Sequence, residues 1–212
     1  FKALPPFEAG DLLGVIPPHG QPPRFYSLAS SANDEIVEIC VRKQAGGLCS
    51  GYLHDLKPGD CIDGFIRPNP GFRPATGNRP VILVGAGAGI GPLTGFIRNN
   101  TRCNPMYLYW GGRDARSDFL YQPELGRYLE DHRLSGLNTA FSRTDERAYV
   151  QDKLKQDELA VRQMVNTGAQ ILVCGGQDMA AAVRQVIEDI LKPLHIDIET
   201  LRGQGRYLED VY

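Results

Sequence analysis

Val81-Ile82-Leu83-Val84-Gly85-Ala86-Gly87-Ala88-Gly89-Ile90-Gly91-Pro92 decides the fold. Its opening run of β-prone apolar residues reads as a strand buried on both faces. Glycine then fills every second position to Gly91, and Pro92 suits the first turn of a helix running to residue 99. Such a turn lets a backbone approach a pyrophosphate, with helix N–H groups and the positive dipole end aimed at it. The strict G-x-G-x-x-G spacing is not met, because its sixth position falls on Ile90 or Pro92. A plain strand-to-helix turn is the competing reading.

Downstream the pattern alternates. Residues 106–110, 137–141 and 170–174 read as strands, and 123–129, 150–165 and 179–191 as helices. Residues 206–212 alternate as a closing edge strand. This order predicts a doubly wound, five-stranded parallel sheet whose ligands bind at the carboxyl ends of the strands. Those ends carry chemistry. The second strand runs into Gly111-Gly112-Arg113, and the third into Ser142-Arg143, with Arg147, Tyr149 and Gln151 close behind. Guanidinium groups beside a hydroxyl and a phenol suit a phosphate monoester, which favours NADPH over NADH. The fourth strand ends on Cys174, followed by Gly175-Gly176 and then Asp178, so this thiol faces the ligand edge.

Upstream the composition changes near residue 76, dividing the chain into domains at 1–76 and 77–212. Residues 12–16, 24–29, 36–42 and 60–67 read as short strands between turns, which predicts an all-β barrel or sandwich. The proline- and glycine-rich stretch 68–80 reads as a linker. In Arg24-Phe25-Tyr26-Ser27, strand alternation puts Arg24 and Tyr26 on one face and Phe25 and Ser27 on the other. A tyrosine there could stack on a flat heterocycle while an arginine pairs a phosphate. Gly46-Gly47-Leu48-Cys49-Ser50 could open a short helix at 51–56 and offer N–H groups to an anion.

Composition excludes several classes. The 212 residues are 42% hydrophobic and 23% charged, a globular balance that leaves no room for wholesale disorder. A net charge of −2 argues against a general nucleic-acid binder. The longest apolar stretch, 80–92, is too short and glycine-rich to span a bilayer. Five cysteines without a CxxC, and four scattered histidines, indicate neither a disulfide framework nor a metal site.

Taken in order, these motifs resemble the ferredoxin–NADP⁺ reductase superfamily, and within it the reductase modules of diflavin enzymes such as cytochrome reductases and sulfite reductase flavoproteins. The resemblance runs from about Gly10 to Tyr212, and Arg24 to Ser31 matches the family's R-x-Y-S element. It implies an FAD-binding antiparallel β-barrel followed by an NADP-binding α/β domain. By that likeness Tyr26 packs on the isoalloxazine, Arg24 pairs the pyrophosphate and Ser27 bonds near flavin N5. Cys40, Val41 and Arg42 line FAD, and Gly47, Leu48, Cys49 and Ser50 form its phosphate turn. Gly85, Gly87, Ala88 and Gly89 hold the NADPH pyrophosphate, while Arg113, Ser142, Arg143, Arg147, Tyr149 and Gln151 take the 2′-phosphate side. Cys174 and Asp210 join Ser27 around the nicotinamide, and Tyr212 covers the flavin until the nicotinamide displaces it. Ala88 stands where the family has threonine. The cysteine element, shorter than usual, leaves the counterpart of Asp178 open.

The implied activity is hydride transfer from NADPH to FAD, then electron transfer to a haem, flavin or iron–sulfur partner, either a separate protein or a fused domain. A free-flavin reductase and a non-catalytic redox-sensing nucleotide domain are the alternatives. The expected location is the cytoplasm or the cytoplasmic face of a membrane-attached parent. Phe1 reads as a cut, since the barrel lacks strands that such a fold has before Gly10, whereas Tyr212 reads as a natural end.

Overall fold

The computed structural model describes residues 6–18 and 20–212. In the N-terminal half, β1 (Leu12–Ile16), β2 (Arg24–Ser27) and β3 (Asp63–Arg67) form an antiparallel sheet in the order β2-β1-β3. Helix α1 (Leu48–Asp55) lies between β2 and β3 in sequence. A small core of Phe7, Leu13, Val15, Leu28 and Cys49 sits beneath the sheet.

In the C-terminal half, β4 (Val81–Ala86), β5 (Met106–Gly112), β6 (Gly136–Phe141), β7 (Gln170–Gly175) and β8 (Tyr207–Val211) pair in parallel. Their order is β6-β5-β4-β7-β8, so the winding reverses at β4 and opens a crevice beside β7. Helices α2 (Ile90–Arg98), α3 (Gln122–Glu130), α4 (Val150–Gln156), α5 (Glu158–Asn166), α6 (Gln177–Leu191) and α7 (Ile198–Gly203) supply the connections. Alternation along β4 sends Ile82 and Val84 into one core and Val81 and Leu83 into the other, which is why the strand is apolar throughout. Helix α6 buries Ala180, Val183, Ile187, Ile190 and Leu191, each larger side chain contributing about 1.5–3 kcal/mol. Among the described residues no helix is long and apolar enough to cross a membrane.

Several expectations change. Residues 36–42 form no strand. They make one bridge, Leu28 to Ile39, and the bond from Ala29 N to Glu38 O (2.8 Å). Ser30 explains the departure, because its Oγ donates to Ile36 O (2.9 Å) and accepts from Glu38 N (2.9 Å), replacing ladder bonds. The strand expected at 60–67 begins only at Asp63, and the helix expected at 51–56 starts at Leu48, with Gly47 as its N-cap. The helix expected at 150–165 breaks at Asp157, whose carboxylate accepts from Tyr109 Oη (2.8 Å) while its backbone leaves helical angles.

Nor is 68–80 a free linker. Phe72 is buried against Phe96, Arg73 is paired with Asp11, and Ala75 N donates to Gln170 Oε1 (2.6 Å).

Candidate active site

A cavity of about 470 Å³ opens between the two halves. One wall carries Arg24, Tyr26 and Ser27 from β2, and Cys40, Val41 and Arg42 from the unladdered segment. A second wall is the start of α1, with Gly47, Leu48, Cys49 and Ser50. Ala88, Pro92, Cys174 and Tyr212 reach in from the α/β half.

Each wall has a local cause. Gly46 has φ +71°, which turns the chain into α1, and a Cβ on Gly47 would lie 2.6 Å from Ser50 Oγ. Ser50 Oγ accepts from Gln44 N (3.1 Å) and donates to Gly47 O (3.3 Å), so the turn is tied down before the helix starts. Among the described residues no side chain caps α1, which leaves its first-turn N–H groups for an anion. Gln44 also lines the cavity, though sequence reading did not single it out, and so does Pro92, which was read only as a helix start.

Opposite, the parallel register sets Cys174 beside Asp210. Ser27 Oγ donates to Asp210 Oδ2 at 2.6 Å, a bond between residues 183 apart in the chain. Tyr212 N donates to Gly175 O (3.2 Å) and holds the terminal ring at the cavity. Burial pushes the Cys174 thiol well up, reinforced by Asp210 and Cys40, so it stays protonated. Burial, with Glu38 nearby, also raises the Cys40 thiol to about 11. Burial and a hydrogen bond to Cys49 raise the Tyr26 phenol. The cleft therefore presents the protonated thiols of Cys40 and Cys174 beside the aromatic surface of Tyr26 and Tyr212, a lining suited to positioning a ligand.

The residues present fit a large flat heterocycle carrying phosphates. Leu48 and Tyr212 are 70% and 63% exposed on the cavity's border, a pair of broad apolar surfaces that a planar ring system would cover. Arg24, Arg42 and the first turn of α1 line the same cavity, so two guanidinium groups and helix N–H groups are at hand for phosphates.

The glycine turn lies beside this cavity. Gly89 has ordinary helical angles, yet a Cβ there would sit 2.2 Å from Cys174 O, so the turn packs directly on the end of β7. Gly85 is similarly tight, its Cβ position 2.7 Å from Leu93 Cδ1. Gly87 differs, with φ +55° and open space around it. Trp110 Nε1 donates to Gly87 O (3.2 Å) and fixes the turn, a contact that sequence reading missed.

A second cluster occupies the ends of β5 and β6. Arg143 N donates to Arg113 O (2.8 Å) and Ser142 N to Gly112 O (3.1 Å), joining the two loops. Arg147 lies over the Tyr149 ring, 5.1 Å from its centroid, and bonds its hydroxyl; Gln151 follows in the first turn of α4. Arg113, Arg143 and Arg147 are exposed, and among the described residues none of them joins an ion pair. Asp178 stands exposed in the first turn of α6, outside the cavity lining. Among the described residues no group of three or more histidine, cysteine or acidic side chains is placed to hold a metal.

Residues 83–185 match the oxidoreductase NAD-binding domain family. Over 90% of its length the chain is 34% identical to an NADPH–cytochrome P450 reductase of Dictyostelium discoideum, covering 33% of that protein. It is 37% identical over 96% of its length to a sulfite reductase [NADPH] flavoprotein alpha-component of Vibrio vulnificus, covering 37% of it. Over most of its length the chain is thus similar to proteins of the diflavin-reductase type. A self-sufficient cytochrome P450 monooxygenase of Oidiodendron maius is similar too, at 34% identity over 89% of the chain. The chain spans about a third of the length of the first two relatives. The superfamily likeness read from the motifs is thus borne out.

Proposed function

We propose that this chain is the NADPH- and FAD-binding part of a flavoprotein reductase. The observation that carries the reading is the Ser27–Asp210 bond, which joins the two halves beside Cys174 at the mouth of one shared cavity. A module that bound a nucleotide alone would have no use for this junction. When bound, FAD would accept a hydride from NADPH and release electrons singly to an acceptor. Hydride transfer needs positioned partners more than acids or bases, in keeping with a lining of neutral thiols.

In this reading the three-stranded sheet is part of an FAD-binding barrel, residues 1–76 form the flavin domain and 77–212 the NADP domain. Tyr26 packs the flavin ring, Arg24 pairs its pyrophosphate, and Cys40–Arg42 with Gly47–Ser50 line the rest of the group. Gly85, Gly87, Ala88 and Gly89 approach the NADPH pyrophosphate; Arg113, Ser142, Arg143, Arg147, Tyr149 and Gln151 take the 2′-phosphate side. Ser27, Cys174 and Asp210 orient the nicotinamide, and Tyr212 shields the flavin face until it arrives. Asp178 holds the outer edge of the nucleotide site. The acceptor is a haem, flavin or iron–sulfur centre, on a separate protein or a fused domain, at a cytoplasmic site.

The test is direct. Full-length protein loaded with FAD should bleach its flavin absorbance on mixing with NADPH and reduce ferricyanide. Oxidation of neither NADPH nor NADH overturns the reading.

A further inference from the structure

Residues 36–42 carry one wall of the cavity, yet no sheet ladder holds them. Beyond the single bridge and the Ser30 bonds, what backs them is helix α2, which starts at the glycine turn and ends at Arg98. Its face toward the flavin half is nearly bare. A Cβ on Gly91 would lie 3.0 Å from Cys40 Cβ, and one on Gly95 would lie 2.7 Å from Ala29 O. The helix backbone therefore rests against both segments, and Arg98 closes the contact. Its guanidinium, 15% exposed, donates to Ala29 O (3.2 Å) and to Glu38 Oε2 (3.3 Å).

On the far side of this guanidinium Nε donates to Glu124 Oε1 (2.8 Å). Tyr121 Oη donates to Glu38 Oε1 (2.7 Å), and Tyr128 Oη to Glu124 Oε1 (2.5 Å). Ala29 follows Ser27 by two residues, and Glu38 precedes Cys40 by two. One cluster thus ties both stretches facing the cavity to the helix whose other end packs on Cys174 O.

We propose that Arg98, Glu38 and Tyr121 form a positioning cluster that sets the separation between the flavin wall and the nicotinamide site, so that it governs the rate of hydride transfer and leaves NADPH affinity alone. The proposal rests on the function proposed above. Affinity should be spared because the contacts proposed for the nucleotide's phosphates, the glycine turn and the arginine cluster at the ends of β5 and β6, lie on the α/β half. Rate should suffer because a displacement of about 1 Å in a reacting pair can cost roughly 100-fold.

Glu38→Gln and Tyr121→Phe are the variants of choice, since Arg98→Met would strand Glu38 and Glu124 as unpaired, partly buried carboxylates. In full-length, FAD-loaded protein, flavin reduction by NADPH should slow about 10-fold or more in Glu38→Gln, with KM for NADPH changed less than about 2-fold. Tyr121→Phe should fall between Glu38→Gln and the parent. Arg162→Gln is the structural control: this arginine donates to Ile190 O (2.8 Å) on α6, away from the cleft. It should lose stability and keep its reduction rate.

Amide exchange read without FAD supplies an independent measure, since residues 36–42 should exchange faster in Glu38→Gln and not in Arg162→Gln. An unchanged reduction rate in Glu38→Gln overturns the proposal, as does a rate loss matched by Arg162→Gln. Should the parent itself oxidise no NADPH, the functional reading fails, and unchanged exchange at 36–42 would then refute the cluster's structural role separately.

Discussion

Ser27 and Asp210 show how far single residues were legible. Ser27 stood out within a local motif, whereas its bond to Asp210 spans most of the chain and could be anticipated only through family likeness. Arg98 and Glu38 were invisible, because a lone arginine near a helix end and a lone glutamate look like solvated surface until the fold buries them together. Arg143 and Arg147 yield the first residue-scale prediction. With a charge-assisted bond worth roughly 1.5–3 kcal/mol, replacing both by Ala should raise KM for NADPH about 100-fold or more and barely move KM for NADH. Equal effects on the two cofactors would remove the 2′-phosphate assignment. Cys40 yields the second. Its thiol is held up at about 11 in the folded protein against 9.0 when unperturbed, so between those values the folded chain keeps a proton that the unfolded chain releases. Stability is then fully present below pH 9 and should fall by about 1.4 kcal/mol per pH unit toward pH 11. Cys40→Ala should flatten that slope in urea titrations at pH 8, 9.5 and 10.5, and an unaltered slope would count against it.

At the scale of elements, β4 and α2 were read to within two residues at each end because a doubly buried strand and a helix with proline in its first turn carry strong signals. Residues 36–42 were misread for the converse reason: their apolar positions serve one bridge and a wedge against α2, and Ser30 replaces the ladder. The glycine turn separates two reasons for glycine that a motif cannot distinguish. Gly87 needs its positive φ and has open space, so Gly87→Asn should fold with a loss of about 1 kcal/mol. Gly89 needs room alone, since a methyl group there meets the Cys174 carbonyl. Gly89→Ala should therefore push β7 away from α2, lower stability by roughly 1–3 kcal/mol and slow flavin reduction as Cys174 shifts. Thermal melts and stopped-flow reduction of the two variants check this, and equal losses in both would show that the packing argument is wrong.

For the whole molecule, the parallel sheet was legible because alternating strands and helices admit few other architectures. How the halves join was not, because proline- and glycine-rich sequence looks the same whether it swings freely or is pinned. Here it is pinned at both ends. Asp11 accepts from Glu8 N (2.9 Å) and Asn69 N (2.8 Å) and pairs with Arg73, fastening the stretch to β1. Gln170, 4% exposed at the start of β7, accepts from Ala75 N (2.6 Å) and donates to Arg73 O (3.2 Å) and Gly205 O (3.0 Å). One buried amide thus links the connecting stretch, β7 and the chain entering β8. Gln170→Leu keeps the volume but orphans one N–H and two carbonyls, at roughly 1–3 kcal/mol for each group left without water. Some solvent relief at the connecting stretch brings the expected loss to about 2–4 kcal/mol. If the two halves fold as one unit through this joint, the urea midpoint should drop in a single transition seen alike by Trp110 fluorescence in the α/β half and by amide exchange in β1 to β3. If 68–80 merely tethered independent halves, the two signals would separate and only the α/β transition would move.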